Sequence, residues 1–423
     1  MKVFLTASFF ACFVVLGSFA KNAMANESSA VKNAEFGIIK QLVAENESDI
    51  LSQETFLKPK LRNKLVYDLN FNDEYQATNR KDEYKEIHSN GYLTSSFQFH
   101  KNIAVNSFLK LERSTQSSET NRRNTLNNGG GDRSFENEGI AIEELNITYD
   151  GKKNAVILGK FDLNFGTAWR WDRGIWAHKI AQNYRQQEKL GLSGLYRAGD
   201  IEKTGSYIFG YSLFTNDRKN LDNAMITGRD SNSKSDSAPG SERSLESYLA
   251  SVDIKFDFGK FEKLSYHFAY INAAVNAKTS AVTANKIDDE KGYVLGMNYH
   301  VPLSTNLFSE KILLDWMVEY VSLKNIDGNS DVSENYFTSN LITKFYRDLN
   351  ITVSHSKRRN SYYGQYGFDQ NLTEASIGYE IGKNSLFDKL VFQFGYKNQR
   401  DNFENITETK SGFGGLVRLY KIF

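Results

Sequence analysis

The sequence predicts an all-β protein, an antiparallel transmembrane β-barrel of about sixteen strands, within the range that bilayer-crossing barrels use. Three observations carry that expectation. From residue 61 to the end, apolar side chains recur at every second position, which is the period of a strand and not of a helix. After the first 25 residues no stretch offers the roughly 18 consecutive apolar residues that a membrane-spanning helix needs, and the mean hydropathy is −0.51. Finally, 13% of the 423 residues are aromatic, with 23 Tyr and 30 Phe, against only 3 Pro. Pro59, Pro239 and Pro302 fall outside the alternating runs, as central strands require of a residue that cannot donate to the ladder.

Residues 1–25 read as a secretory signal: Lys2, an apolar core from Val3 to Phe19, then Ala23-Met24-Ala25 as a small-x-small cleavage site. The only cysteine, Cys12, lies in that core, so the mature chain is expected to carry no thiol. Loss of Lys2 and Lys21 takes the formal net charge from +1 to −1, which gives no bulk electrostatic case for nucleic acid. Residues 26–60 form an expected N-terminal periplasmic extension. Phe36, Ile39, Leu42 and Val43 fall at helical spacing there, so a short amphipathic helix and a poorly ordered leader are both open readings.

From Leu61 to Phe423 the chain reads as barrel. The stripe Leu65, Tyr67, Leu69, Phe71 is followed by Leu93 to Phe99 and, after a short connection at Lys101-Asn102, by Ile103 to Leu111. Leu145, Ile147 and Tyr149 precede a turn at Asp150-Gly151-Lys152-Lys153 and the stripe Ala155, Ile157, Gly159, Phe161. Further stripes run through Leu192–Tyr196, Tyr207–Leu213, Tyr248–Phe256, Leu264–Tyr270, Tyr293–Val301, Ile312–Tyr320, Phe337–Phe345, Ile351–Val353, Ile377–Ile381 and Leu390–Tyr396. Short turns alternate with long insertions rich in Asn, Ser, Asp and Gly, such as 114–139 and 215–244, and this alternation is expected to continue down the chain. The asymmetry places short turns on the periplasmic side and long loops outside.

The opposite face is charged. Lys110, Glu112, Glu144, Lys160, Asp253, Lys255, Asp315, Glu319, Lys344, Glu380 and Arg418 all alternate with the apolar stripes. Ionised groups at this density do not suit a dry sandwich core, whereas a water-filled lumen holds them at little cost. Charges of both signs on opposing walls would set up a transverse field; scattered solvation of the lumen is the plainer reading.

The last thirteen residues, SGFGGLVRLYKIF, place Phe413, Gly415, Val417, Leu419, Lys421 and Phe423 on one face. This stretch resembles the C-terminal signature of Gram-negative outer-membrane barrels, an amphipathic strand ending in Phe. The resemblance implies that Phe423 is part of an assembly signal for the barrel-assembly machinery and that the last strand pairs with the first. Lys421 departs from that pattern, and a lysine near the membrane boundary can snorkel. With their strand count and loop order, residues 61–423 look like the general diffusion porins, in which sixteen strands close a pore and the protein forms a homotrimer in outer-membrane lipid and lipopolysaccharide. The families of phosphate- and pyrophosphate-selective porins, some with an N-terminal extension, are a nearer resemblance in that one respect.

In porins the third outer loop folds into the barrel and narrows it, so the resemblance makes 162–189, after the fifth strand, the constriction loop. Its sequence, DLNFGTAWRWDRGIWAHKIAQNYRQQEK, holds Trp169, Trp171 and Trp176 of the four tryptophans, which fits a loop lying against a wall. Arg170, Arg173, His178, Lys179, Arg185 and Lys189 outnumber Asp162, Asp172 and Glu188. They form either a basic lining that concentrates anions or a set of ion pairs that holds the loop in place. The lining expected overall comprises these loop residues with Lys110, Glu112, Lys160, Asp253, Lys255, Asp315, Glu319 and Arg418. Phosphate-cradle, nucleophile-elbow and metal-ligand spacings are absent from the sequence, so no cofactor, metal site or enzyme chemistry is expected. The expected activity is passive diffusion of small hydrophilic solutes or ions through a channel with some anion preference; a barrel serving as an enzyme or adhesin platform is the alternative.

Overall fold

The computed structural model describes residues 59–113, 133–135, 138–170, 174–201, 203–216, 240, 245–257, 263–275, 288–304, 311–345, 348–362, 365–382, 386–403 and 406–423. The expected signal, and all but the last two residues of the expected extension, lie outside them.

Sixteen antiparallel strands close on themselves. They are β1 (Lys60–Ala77), β2 (Tyr84–His100), β3 (Ile103–Arg113), β4 (Glu138–Asp150), β5 (Asn154–Phe161), β6 (Lys189–Asp200), β7 (Gly205–Asn216) and β8 (Ser247–Phe256). The second half comprises β9 (Leu264–Ala273), β10 (Glu290–Ser304), β11 (Lys311–Lys324), β12 (Val332–Phe345), β13 (Leu349–Tyr362), β14 (Gln365–Ile381), β15 (Lys389–Phe403) and β16 (Ile406–Ile422). Each pairs with its sequence neighbours, and β16 returns to β1 in the register Asp68↔Arg418 and Leu69↔Val417. Asn63 and Phe423 exchange both backbone hydrogen bonds, at 2.8 and 3.0 Å, so the terminal strand closes the cylinder as expected. Among the described residues, the sixteen strands leave no edge of the cylinder unpaired. Residues 133–134 add a two-residue parallel pairing to β2.

The alternation sorts the side chains as the sequence implies. Tyr67, Phe97, Ile147, Tyr211, Tyr270, Leu295, Val353 and Phe394 stand exposed on the outside. Such a continuous apolar belt is stable only against lipid. Lys160, Glu319, Glu374, Lys397 and Arg418 are buried on the inside.

Four details depart from expectation. Pro302 lies within β10, two residues from its end, opposite Leu313. The late connections at 363–364 and 404–405, at the same end as the long loops, are two residues each; β14 and β16 are 17 residues long, so the wall itself extends where loops were expected. On β5 the assigned face is reversed: Val156 and Leu158 point outward, while Ala155 is buried and Ile157 packs on the inner apolar cluster. The reversal ends at Gly159, whose φ of 129° breaks the strand period. A side chain there would meet the Leu145 carbonyl at 2.5 Å. Past that kink both Lys160 and Phe161 turn inward, and the chain leaves the wall for the lumen. A bulge does similar work on β4. Phe108 faces Glu144 and Leu109 faces Ile142, so Glu143 has no ladder partner and two consecutive glutamates enter the interior.

Candidate functional site: a loop held inside the barrel

The connection between β5 and β6 folds into the cylinder. Leu163, Phe165, Ala168, Trp169, Ile175, Trp176, Ile180, Ala181 and Tyr184 pack on inward residues of many strands, among them Phe214, Leu249, Ile271, Val294, Met317, Tyr336, Leu372 and Leu416. Apolar inner-wall residues are out of place in a plain water channel; here they form the floor of a second, internal core. Small residues make the space. A Cβ at Gly414 on β16 would overlap the Trp176 ring, and Gly395 on β15 lies against Ile175.

Two wall carboxylates fix the loop's path. Glu319 on β11 accepts the Thr167 N–H at 2.6 Å, the Thr167 hydroxyl at 2.8 Å and the Ala168 N–H at 3.1 Å. Those amides open the short 3₁₀ turn Ala168–Arg170, so Glu319 supplies the acceptor that a helix start lacks. The Tyr184 hydroxyl donates to the same carboxylate. Burial and then the Glu319 charge push that phenol well above its usual range, so it stays a neutral donor. Glu374 on β14 does the parallel work at the loop's far end, accepting the N–H groups of Ile175 and Trp176 at 2.6 and 2.8 Å. Gly174, at φ 65°, lets the backbone approach it. The Trp176 indole donates to Asn72 on β1 at 2.9 Å, and Lys397 lies 4.9 Å over its ring while pairing with Glu74.

The loop's root is ionic. Two guanidinium groups lie over the Trp169 ring, Arg170 at 4.4 Å and Arg185 at 4.6 Å from its centre. Arg185 donates to Asp162 and Glu143 at 2.5 and 2.8 Å. Burial opposes its charge, but Asp162 and Glu143 more than offset that, and the guanidinium is held above its ordinary range. For Arg170 burial wins over nearby Asp162 and Glu144 and pulls the group down. Arg170 donates to the Leu163 carbonyl and to Asn164, and Asn164 reaches Asp253 on β8 at 3.0 Å. Asp253 holds His267 Nδ1 at 2.9 Å, which leaves Nε2 to accept the Gly166 N–H at 3.2 Å.

Several residues named from the sequence therefore meet in one network: Asp162, Arg170, Arg185, Trp169, Lys110, Asp253 and Glu319. Lys110 bridges Glu112 and Glu143 at 2.8 and 2.7 Å, and Lys160, fully buried, pairs with Glu188 at 3.0 Å. Lys189 is donor to Asn216. Others lie elsewhere: Arg418 forks onto Asp68 at 2.7 and 2.6 Å, Asp315 stands 3.9 Å from His300, and Lys255 is inward on β8 opposite Ser265. His178 and exposed Lys179 are on the loop, the His178 carbonyl accepting the Gln182 N–H. Trp171, Asp172 and Arg173 lie outside the described residues. Glu374, Glu143, His267, Tyr184 and Lys397 were not singled out in the sequence. Their inward parity is readable, but their partners lie far away in sequence, as Glu74 does from Lys397, and period alone does not reveal them. Among the described residues no three His, Cys, Asp or Glu are grouped to hold a metal ion.

No family model matches the sequence, and no curated protein is similar to it. Among solved structures, the outer-membrane protein OmpT of Vibrio cholerae is 11% identical with TM-score 0.46, the match covering 87% of this chain and 99% of that one. The outer-membrane channel DcaP of Acinetobacter baumannii is 9% identical with TM-score 0.47, covering 86% and 97%. The anion-selective porin of Comamonas acidovorans is 10% identical with TM-score 0.44, covering 86% and 99%. Likeness at this level carries nothing about solute, assembly or activity, and the functional reading rests on the geometry above.

Proposed function

We propose that this chain is an outer-membrane porin: a water-filled channel for passive diffusion of small hydrophilic solutes, with the loop 162–188 setting its narrowest section. The observation that carries the reading is the loop itself, drawn inside a closed, lipid-faced barrel and held there by Glu319 and Glu374. A barrel of about sixteen strands is wider than side chains alone can fill, so the internal loop defines what passes. On the inner wall of β1 and β2, Asp68, Asn70, His88 and Asn90 are polar and half-buried, as a wetted surface would be. Solutes are sorted by size and by the charges they meet.

The basic lining expected of the loop is matched locally. Around Trp169, Lys110, Arg170 and Arg185 face Glu112, Glu143, Glu144 and Asp162, so the ion-pair reading of the loop is favoured over strong anion concentration. Discrete single-channel steps in a planar bilayer test the pore, and a purified, folded barrel without such steps refutes it. A reversal potential near zero in a potassium chloride gradient fits the matched charges; a strongly anionic one restores the basic-lining reading. The homotrimer belongs to the same proposal and is checked by native mass spectrometry of the detergent complex.

A further inference from the structure

The loop divides the inner surface of the barrel into two unlike parts. The apolar cluster beneath it takes side chains from β5, from β7 to β12, and from β14 and β16; among the described residues it takes none from β1 to β4. The loop meets that remaining quarter through polar contacts, the Trp176 indole on Asn72 and Arg185 on Glu143. Between these two points Ile180, Ala181 and Tyr184 turn toward the cluster. Gln182 and Asn183, exposed, and Gln186 and Gln187, half-buried, are left on the face that looks away from it. The wall of β1 and β2 carries matching chemistry. Asn70 faces His88 and Asp68 faces Asn90 in the ladder, and Tyr92 and Thr94 continue the same inward face. Among the described residues the Asn70 amide nitrogen, His88 Nδ1 and the Thr94 hydroxyl have no hydrogen-bond partner, although Thr94 is only 2% exposed. Unpartnered polar groups at this depth are unusual and call for a partner from outside the chain. Beside them half-buried Tyr92 stacks on buried Phe108, ring centres 5.0 Å apart, which fixes an aromatic ring on this wall.

We propose that the passage between this loop face and β1–β2 holds a saturable binding site for an uncharged oligosaccharide, which names the solute of the pore and rests on that reading. Charge argues against an ionic solute. Arg418 forks onto Asp68, Lys397 pairs with Glu74, and Lys110 lies between Glu112 and Glu143, so these ionised groups are matched within the protein. What remains is neutral. A side-chain amide carries both a donor and an acceptor, as each sugar hydroxyl does, so the loop amides and the wall amides engage hydroxyls on the two sides of one ligand. The flat face of Tyr92 suits the apolar C–H side of a pyranose ring. The row from His88 to Thr94 runs about 20 Å along β2, at roughly 3.3 Å per residue, which is longer than a single sugar ring and fits a short chain. Water meets such groups one at a time; a chain of hydroxyls meets the row together.

The test uses the folded protein in planar bilayers for single-channel current and in neutral detergent for saturation-transfer NMR. Raffinose is the probe, polyethylene glycol of the same mass a steric control, and tripolyphosphate an anionic one. Raffinose is expected to interrupt the current with a frequency that saturates and to receive saturation from the protein, while the two controls do neither. Asn70→Ala/Asn90→Ala is expected to bind raffinose about 25-fold more weakly, at roughly fivefold for each lost hydrogen bond. Tyr92→Leu, which keeps an apolar contact with Phe108 but loses the flat face, is expected to bind about fivefold more weakly. Ser354→Ala, inward on β13 at the far wall, is expected to leave the raffinose affinity as in the parent. Current steps that raffinose never interrupts, with no saturation transfer, overturn the site and leave the pore standing. Saturation transfer without any current steps refutes the pore and leaves the site. Parent-like raffinose binding by both the double variant and Tyr92→Leu, or equal interruption by the glycol or by tripolyphosphate, would each overturn the proposal. If the double variant fails to fold, Tyr92→Leu and the loop variant Gln186→Ala/Gln187→Ala decide the matter: unchanged affinity in both rejects the site.

Discussion

The two faces of the same sheet are built on different principles. Outside, Tyr211, Tyr270, Leu295 and Val353 need only be apolar and placed at every second position, because the lipid they meet is indifferent to detail. Inside, Glu319 or Trp176 is tied to particular atoms of a loop more than a hundred residues away in sequence or on another strand. The outer face therefore fixes the fold class, and the inner face fixes what the fold does.

That contrast can be broken from the inside most strongly. Glu319→Ala removes the acceptor of two loop amides and two hydroxyls; with charge-assisted hydrogen bonds at roughly 1.5–3 kcal/mol each, we expect about 4 kcal/mol lost from the loop's seating. Limited trypsin digestion should then cut within 162–188 while the barrel still migrates as a heat-modifiable species. An uncut loop would mean that apolar packing alone holds it. On the outside, only a charge should approach that effect: Leu295→Arg, near the middle of β10, is expected to cost about 3 kcal/mol in a urea titration in lipid vesicles. Gly414→Ala places a methyl group where the Trp176 ring lies, and overpacking of this kind costs about 2 kcal/mol. A shift of the indole fluorescence would accompany it. Leu295→Phe, which keeps the outer face apolar, should stay within about 0.5 kcal/mol of the parent in the same titration.

The strand series was legible because lipid enforces a strict period: Tyr293-x-Leu295 and Phe394-x-Tyr396 can face only one way. Reading failed where the backbone abandons that period. On β5 Val156 and Leu158 face outward in place of Ala155 and Ile157, the Gly159 kink then turns Phe161 inward beside the expected Lys160, and a bulge on β4 turns Glu143 inward beside the expected Glu144. The concentration of tryptophan in 162–189 correctly marked a loop that lies against a wall, since Trp169 and Trp176 are both buried there. Its cations were harder. In sequence Arg185 is open to both the lining and the ion-pair reading, and only the fold brings Asp162 and Glu143 to it. Glu374 was indistinguishable from any other inward carboxylate, because its partners are backbone amides, which have no signature in sequence.

The central claim is that the inner face meets water which crosses the membrane while the outer face meets lipid. The sequence holds one cysteine, in the expected signal, so single thiols can be introduced cleanly. The most direct measurement is single-channel current from Asn90→Cys, inward on β2, and Leu295→Cys, outward on β10, before and after a charged, membrane-impermeant thiol reagent. The account predicts a stepwise fall in current for Asn90→Cys and none for Leu295→Cys. An unchanged current in Asn90→Cys despite complete labelling, or an equal response from both, would contradict it.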